Sequence, residues 1–222
     1  MRPNVAQLFG NKTESFLCSF DHGLKDDLGV HAVTQNGSLV GTPSPKTGSH
    51  CYSNTGIDTV YNINVSSVSD FTLDAWFYVT HSSDSSSFVS LGDFNSDTHY
   101  VFLQGGGNII AGGPYITAGI FASGSSVVIA DFVPSSINTW HHAAVVKVGS
   151  AVYLFRNGSL VTSGTVSGTI QDTPSLKMGK SSIVTYNEYI DHLRLIKGKA
   201  ILNPAGFSLN DAELVYPPGT LN

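Results

Sequence analysis

The chain has 222 residues, 12% of them charged and 41% hydrophobic, with 23 Gly, 12 Phe and a formal net charge of −5. So few charges, with recurrent Gly, Ser and Thr and no Ala-Leu-Glu-Lys stretches, exclude coiled coils and helical bundles, because Gly, Ser and Thr are poor helix formers. The acidic balance argues against nucleic acid as a partner, since phosphate binding needs a basic footprint, and no apolar run of about 18 residues is present to insert into a membrane.

In chain order, residues 1–14 show no periodicity and read as an N-terminal arm. The opening Met1–Gln7 lacks the apolar core of a signal peptide, which predicts synthesis in the cytoplasm. A short apolar strand is predicted over Phe16–Phe20, followed by a loop-rich stretch to Lys46 with one small hairpin, then strands over His50–Asn54 and Asp58–Val65. The clearest element is Asp70–Thr80. Phe71, Leu73, Ala75, Phe77 and Val79 alternate there with Thr72, Asp74, Trp76 and Tyr78, the period of a half-buried strand. Further strands are expected at 88–91, 100–103, 116–122, 127–132, 140–148, 152–156, 160–163, 175–179 and 189–196.

The Ser-rich run Ser82–Ser87 and the triplet Gly105–Gly107 read as loop tips. Asn36-Gly37 and Asn157-Gly158 carry the residue pair that type I′ hairpin turns need. The sequons at Asn11, Asn36, Asn64 and Asn157 read as turn residues, not glycan acceptors. Cys18 and Cys51 are too few for a disulfide scaffold or a zinc site; they read as two buried strand residues, with a single bond between them as the alternative. Residues 201–222, with Pro204, Pro217 and Pro218, form a tail. More than ten short strands with regular turn signals predict an all-β, two-sheet antiparallel sandwich over residues 15–200, flanked by short N- and C-terminal arms.

Several segments resemble a known family. Asp70–Phe77 resembles the D-F-T-x-x-x-W strand of laminin-G-like jelly rolls in the concanavalin A-like superfamily. Asn138–Val146, with Thr139-Trp140 and His142, resembles its T-W-x-H-x-A strand, and Tyr153–Gly158 the hairpin that follows. Tyr189–Gly198 resembles the closing strand, and Phe20–Gly23 the family's opening F-D-G. The resemblance implies a jelly-roll fold. The closing segment with its Pro-bearing tail is similar to versions found in tailed-phage virion proteins.

Fold alone does not fix function. Glucanases of the superfamily carry alternating carboxylates on one strand, and retaining hydrolysis needs a carboxyl pair about 5–5.5 Å apart. Here Glu occurs at positions 14, 188 and 213, and Asp74 stands alone on its strand, so no enzymatic activity is expected. His141 and His142 are adjacent on a strand and point to opposite faces, so a shared metal is disfavoured. Calcium is the one cofactor the resemblance implies. Asp21 and Asp191 could approach as ligands if the first and last strands pair, with Asp26 and Asp27 nearby; the competing reading has these groups capping turns.

For carbohydrate binding, Trp76 and Tyr78 share a face with Thr72 and Asp74, with Tyr100, Phe102 and Tyr115 as secondary candidates. The competing reading packs Trp76 and Tyr78 into a second covered face. The expected function is a non-enzymatic structural or adhesion protein of a tailed-phage virion, a head decoration or tail component. It would assemble with capsid or tail proteins through its arms, form homo-oligomers and contact host surface glycans. The alternative is a free-standing carbohydrate-binding lectin.

Overall fold

In the computed structural model the described residues are 15–21, 23–32, 38–53, 59–65, 70–80, 85–92, 100–108, 113–131, 137–168, 170, 173–180 and 189–198. They form strands β1 (Phe16–Cys18), β2 (Ser38–Val40), β3 (Cys51–Ser53), β4 (Thr59–Val65), β5 (Phe71–Val79), β6 (Ser85–Leu91) and β7 (Tyr100–Asn108). The second half of the chain adds β8 (Gly113–Ala122), β9 (Ser125–Asp131), β10 (Thr139–Val148), β11 (Ala151–Arg156), β12 (Ser159–Thr165), β13 (Thr173–Lys180) and β14 (Tyr189–Lys197). The expected arms at 1–14 and 201–222, and the Asn36-Gly37 turn, lie outside the described residues.

Two antiparallel sheets result. The eight-stranded sheet runs β12-β11-β10-β5-β14-β3-β2, with β1 also paired to β14; the six-stranded sheet runs β4-β13-β6-β7-β8-β9. The fold is therefore the all-β, two-sheet antiparallel sandwich that the strand pattern predicts, of the concanavalin A-like kind that the resemblance implies. Its core lies between the sheets, where Phe71, Leu73, Ala75 and Phe77 of β5 meet Val101 and Leu103 of β7 and Ala118 and Ile120 of β8. Because strand side chains alternate, these residues leave Thr72, Asp74, Trp76 and Tyr78 on the outer face of the eight-stranded sheet.

β14 departs from strict alternation. Ile190 and Leu193 both reach the core although three apart in sequence. A register shift between Asp191 and Arg194, with His192 at φ 52°, absorbs the extra residue. The β11–β12 hairpin turns at Asn157 (φ 48°) and Gly158 (φ 83°), the two positive-φ positions of a type I′ turn. Cys18 and Cys51 are buried free thiols. Burial pushes each up to about 12, so both stay protonated.

Two sequence expectations change. The Ser-rich and Gly-rich tips are paired strands, with Ser85, Ser86 and Ser87 opposite Gly107, Gly106 and Gly105. The reason is steric: a Cβ on Gly105 would press to 2.7 Å from Phe77 Cγ, so the glycine makes room for the ring across the sandwich. β5 is not half-buried either. All of its residues but Tyr78 are buried, on both faces.

Candidate functional site

The outer face of the eight-stranded sheet is built of cross-strand rows over β10, β5 and β14. The row nearest one end is Trp140–Tyr78–Tyr189, with Tyr78 directly opposite both partners. Ring centroids are 5.3 Å apart for Tyr78–Trp140 and 6.0 Å for Tyr78–Tyr189, both edge-to-face. All three side chains are half-buried, so the row presents aromatic surface to solvent while packed beneath. The next row is His142–Trp76–Asp191. Trp76 is only 5% exposed; its ring lies 5.1 Å from that of His142.

The third row, Ala144–Asp74–Arg194, carries a buried ion pair. Arg194 Nε donates to Asp74 Oδ2 at 2.9 Å, and His142 Nε2 lies 3.5 Å from Asp74 Oδ1. Burial works to raise the Asp74 carboxyl, but Arg194 and His142 outweigh it and hold the group below the ordinary carboxylate range. Burial and the nearby guanidinium of Arg194 push His192 down to about 4, so its ring is neutral at pH 7.

A segment between β2 and β3, residues 41–50, folds along this face. The Ser44 carbonyl accepts a hydrogen bond from Trp140 Nε1 at 2.9 Å, and Lys46 Nζ stands 4.4 Å above the centre of the Trp76 ring. The Thr47 amide donates to Asp191 Oδ2 at 2.9 Å. Asp21 Oδ1 accepts the Ser49 amide at 2.6 Å, the Ser49 hydroxyl at 3.2 Å and the His50 amide at 3.3 Å. Gly48, at φ +62°, sits where any Cβ would overlap the Asp21 carboxylate. Asp191 is fully buried, its Oδ1 has no hydrogen-bond partner, and burial pushes the carboxyl up to about 7 against the pull of the Thr47 amide.

The sequence candidates divide accordingly. β1 pairs with β14, and Asp21 and Asp191 both reach the 41–50 segment. There they accept backbone amides, as Asp26 does from Leu17, Leu28, Val30 and His31 and Asp27 from Ser19. Asp21 Oδ1 and Asp191 Oδ2 thus take the turn-capping role, and among the described residues no group of three or more His, Cys, Asp or Glu is placed for a metal. His141 and His142 face opposite sides of β10, opposite Phe77 and Trp76 respectively.

Trp76 lies beneath Lys46, whereas Tyr78 is the centre of the exposed row. Tyr115 is elsewhere. It lies within β8, not on the preceding Gly-rich loop, and on the outer face of the other sheet, where its hydroxyl accepts from Gln104 Nε2 at 3.1 Å. Trp140 and Tyr189 were not among the sequence candidates. They become neighbours of Tyr78 only through the register of three strands distant in sequence, although both fall inside motifs the sequence displays.

Residues 52–200 match the family model of the concanavalin A-like lectin/glucanases superfamily, and the chain belongs to that family. No curated protein sequence matches it. Among solved structures, the binding domain of botulinum neurotoxin serotype G is similar over 92% of this chain and 50% of its own length, with a TM-score of 0.66 and 13% identity. The chain thus spans about half the length of that domain. Domain 4 of a GH43 extracellular arabinanase from Geobacillus stearothermophilus, solved in complex with arabinotriose, aligns over 90% of this chain and 97% of its own, with a TM-score of 0.61 and 18% identity. At such identities the likeness is one of fold.

Proposed function

We propose that this member of the concanavalin A-like lectin/glucanases superfamily is a glycan-binding module that lays a sugar chain across the Trp140–Tyr78–Tyr189 row. The observation carrying this reading is the row itself: three half-exposed aromatic side chains in register on adjacent strands, held from below and walled by residues 41–50. Two inter-strand spacings make a shelf about 10 Å long, and aromatic faces stack on the apolar faces of sugar rings while the rim supplies polar partners. The arabinanase domain with this fold holds a sugar oligomer, which supports the same use here. The reading includes no hydrolysis: Asp74, the carboxylate on the central strand, is committed to Arg194 and His142.

Placement in a tailed-phage virion is compatible with this chemistry but rests on the resemblance of Tyr189–Gly198 and the tail after it and on the terminal arms, and the arms lie outside the described residues. The glycan reading stands without it. A glycan array followed by calorimetry on the best ligand tests it. Trp140→Ala and Tyr78→Ala should each weaken binding at least tenfold while the domain keeps its unfolding transition. Failure of the wild-type protein to bind any glycan, or variants that bind as well as wild type, would refute it.

A further inference from the structure

Residues 41–50 are tied to the outer face at three places along their length. The Ser44 carbonyl accepts from Trp140 Nε1, the Thr47 amide donates to Asp191 Oδ2, and the Ser49 and His50 amides donate to Asp21 Oδ1. Trp76, Asp191 and Cys51 are all buried beneath this segment. Cys51 Sγ donates to the Val40 carbonyl at 3.6 Å and to the Pro43 carbonyl at 3.9 Å, so the same stretch covers its thiol. Cys18 is buried on the other side of the sheet, in the core.

The middle tie holds a carboxyl that is poorly placed to ionise. Oδ1 of Asp191 is buried with no hydrogen-bond partner among the described residues. On β5 the group faces Trp76, with Asp74 two residues along and His142 of β10 beyond. Its other titratable and charged neighbours are Cys51 of β3, Asp21 after β1, Lys46 and His50 of the segment, and Tyr189, His192 and Arg194 of β14 itself. Burial dominates, the Thr47, His192 and Lys46 amides pull the other way, and Asp21 adds like charge, so the proton is held up to about 7. Above the ordinary carboxylate range, closing the segment keeps a charge out of water that opening would release. Each pH unit in that interval favours opening by about tenfold.

We propose that residues 41–50 are a pH-released strap: when Asp191 ionises, the segment lifts in a local opening and the Trp76 ring joins Tyr78 as exposed aromatic surface on β5. The proposal is independent of any ligand for the aromatic row.

Thiol labelling tests it, because Cys51 reports the strap and Cys18 the sandwich, and both are free. The whole chain is labelled with dithiodipyridine, each cysteine is followed by mass spectrometry of its peptide, and each rate is divided by that of the same cysteine in urea. Cys51 should label much faster than Cys18 and speed up about tenfold between pH 6 and pH 8, while tryptophan emission moves to longer wavelength. Asp191→Asn should hold the Cys51 rate level over that range. Gly48→Ala, whose Cβ has no room beside the Asp21 carboxylate, should raise the Cys51 rate already at pH 6 and leave Cys18 slow. Equal rates at the two cysteines would mean that only the whole domain opens, and would overturn the strap. A wild-type Cys51 rate that is flat with pH, or one that rises equally in Asp191→Asn, would overturn its control by this carboxyl.

Discussion

Asp191 lies under the 41–50 segment as a carboxyl with no exposed surface, and that burial makes the stability of the domain depend on pH in a direction opposite to that of most carboxylates. Its folded-state pKa is about 7 against 3.8 for the free group. The folded state therefore holds the proton more tightly than the unfolded chain. The contribution of this group is fully present below about pH 4 and is lost as pH rises through about 7. Integrating between pH 5 and pH 8 gives a loss of roughly 2.5 kcal/mol, a ceiling if the 41–50 segment opens locally and lets water reach the carboxylate before the domain unfolds.

Asp191→Asn removes the ionisation and keeps an acceptor for the Thr47 amide. The new amide N–H₂ needs its own acceptor and costs about 1–3 kcal/mol if it finds none, so the slope with pH is the diagnostic quantity, not the absolute stability. Urea unfolding of wild type and variant at intervals from pH 5 to pH 8 measures it, and every other titrating group cancels in the difference. Wild type should lose stability relative to the variant as pH rises. Parallel profiles, or a variant that loses ground with rising pH, would show that the carboxyl is not held protonated by burial.

Three further outcomes are expected. Asp74→Ala leaves the Arg194 guanidinium buried without its carboxylate, and breaking such a pair costs about 3–5 kcal/mol; thermal unfolding should register it as a large drop in Tm. Gly158→Val places a β-branched side chain at φ 83° and should destabilise the domain by about 1–3 kcal/mol, so an unchanged Tm would count against the type I′ turn. Pure protein incubated with laminarin, agarose, carrageenan or peptidoglycan should release no reducing sugar above buffer; turnover that vanished in Asp74→Asn would overturn the binding-module reading.

The fold was legible where one face of a strand is large and apolar. Phe71 to Val79 declared both its period and its core face, and Asn157-Gly158 declared its turn. It was illegible where strands are built of small residues. Ser85–Ser87 and Gly105–Gly107 lack the side chains that mark a strand, because backbone pairing and the Phe77 ring across the sandwich do that work. Thr72, Asp74, Trp76 and Tyr78 look like a solvent face, yet three of the four are buried there. The Asp74–Arg194 pair spans 120 residues of sequence, and the cover over Trp76 comes from a stretch with no periodicity at all. For the same reason Tyr78 could be named from its strand, whereas Trp140 and Tyr189 required the register.

The position of β14 in the eight-stranded sheet constrains how the chain reaches its native state. It is the last strand in sequence among the described residues, but it lies inside the sheet, with β5 on one side and β3 and β1 on the other. While the chain is being synthesised, β5 and β1 each present an unpaired edge to the surrounding solution until Tyr189–Lys197 has left the ribosome. Closure then joins Phe16 to Leu195 across nearly the whole domain, the kind of distant pairing that makes all-β proteins slow to fold. A nascent or truncated chain without this strand lacks the middle of a sheet, not a dispensable margin, and its open edges are templates for pairing with other chains. The same strand delivers Tyr189, Asp191 and Arg194 to the outer face, so the rows described above are complete only once it has paired.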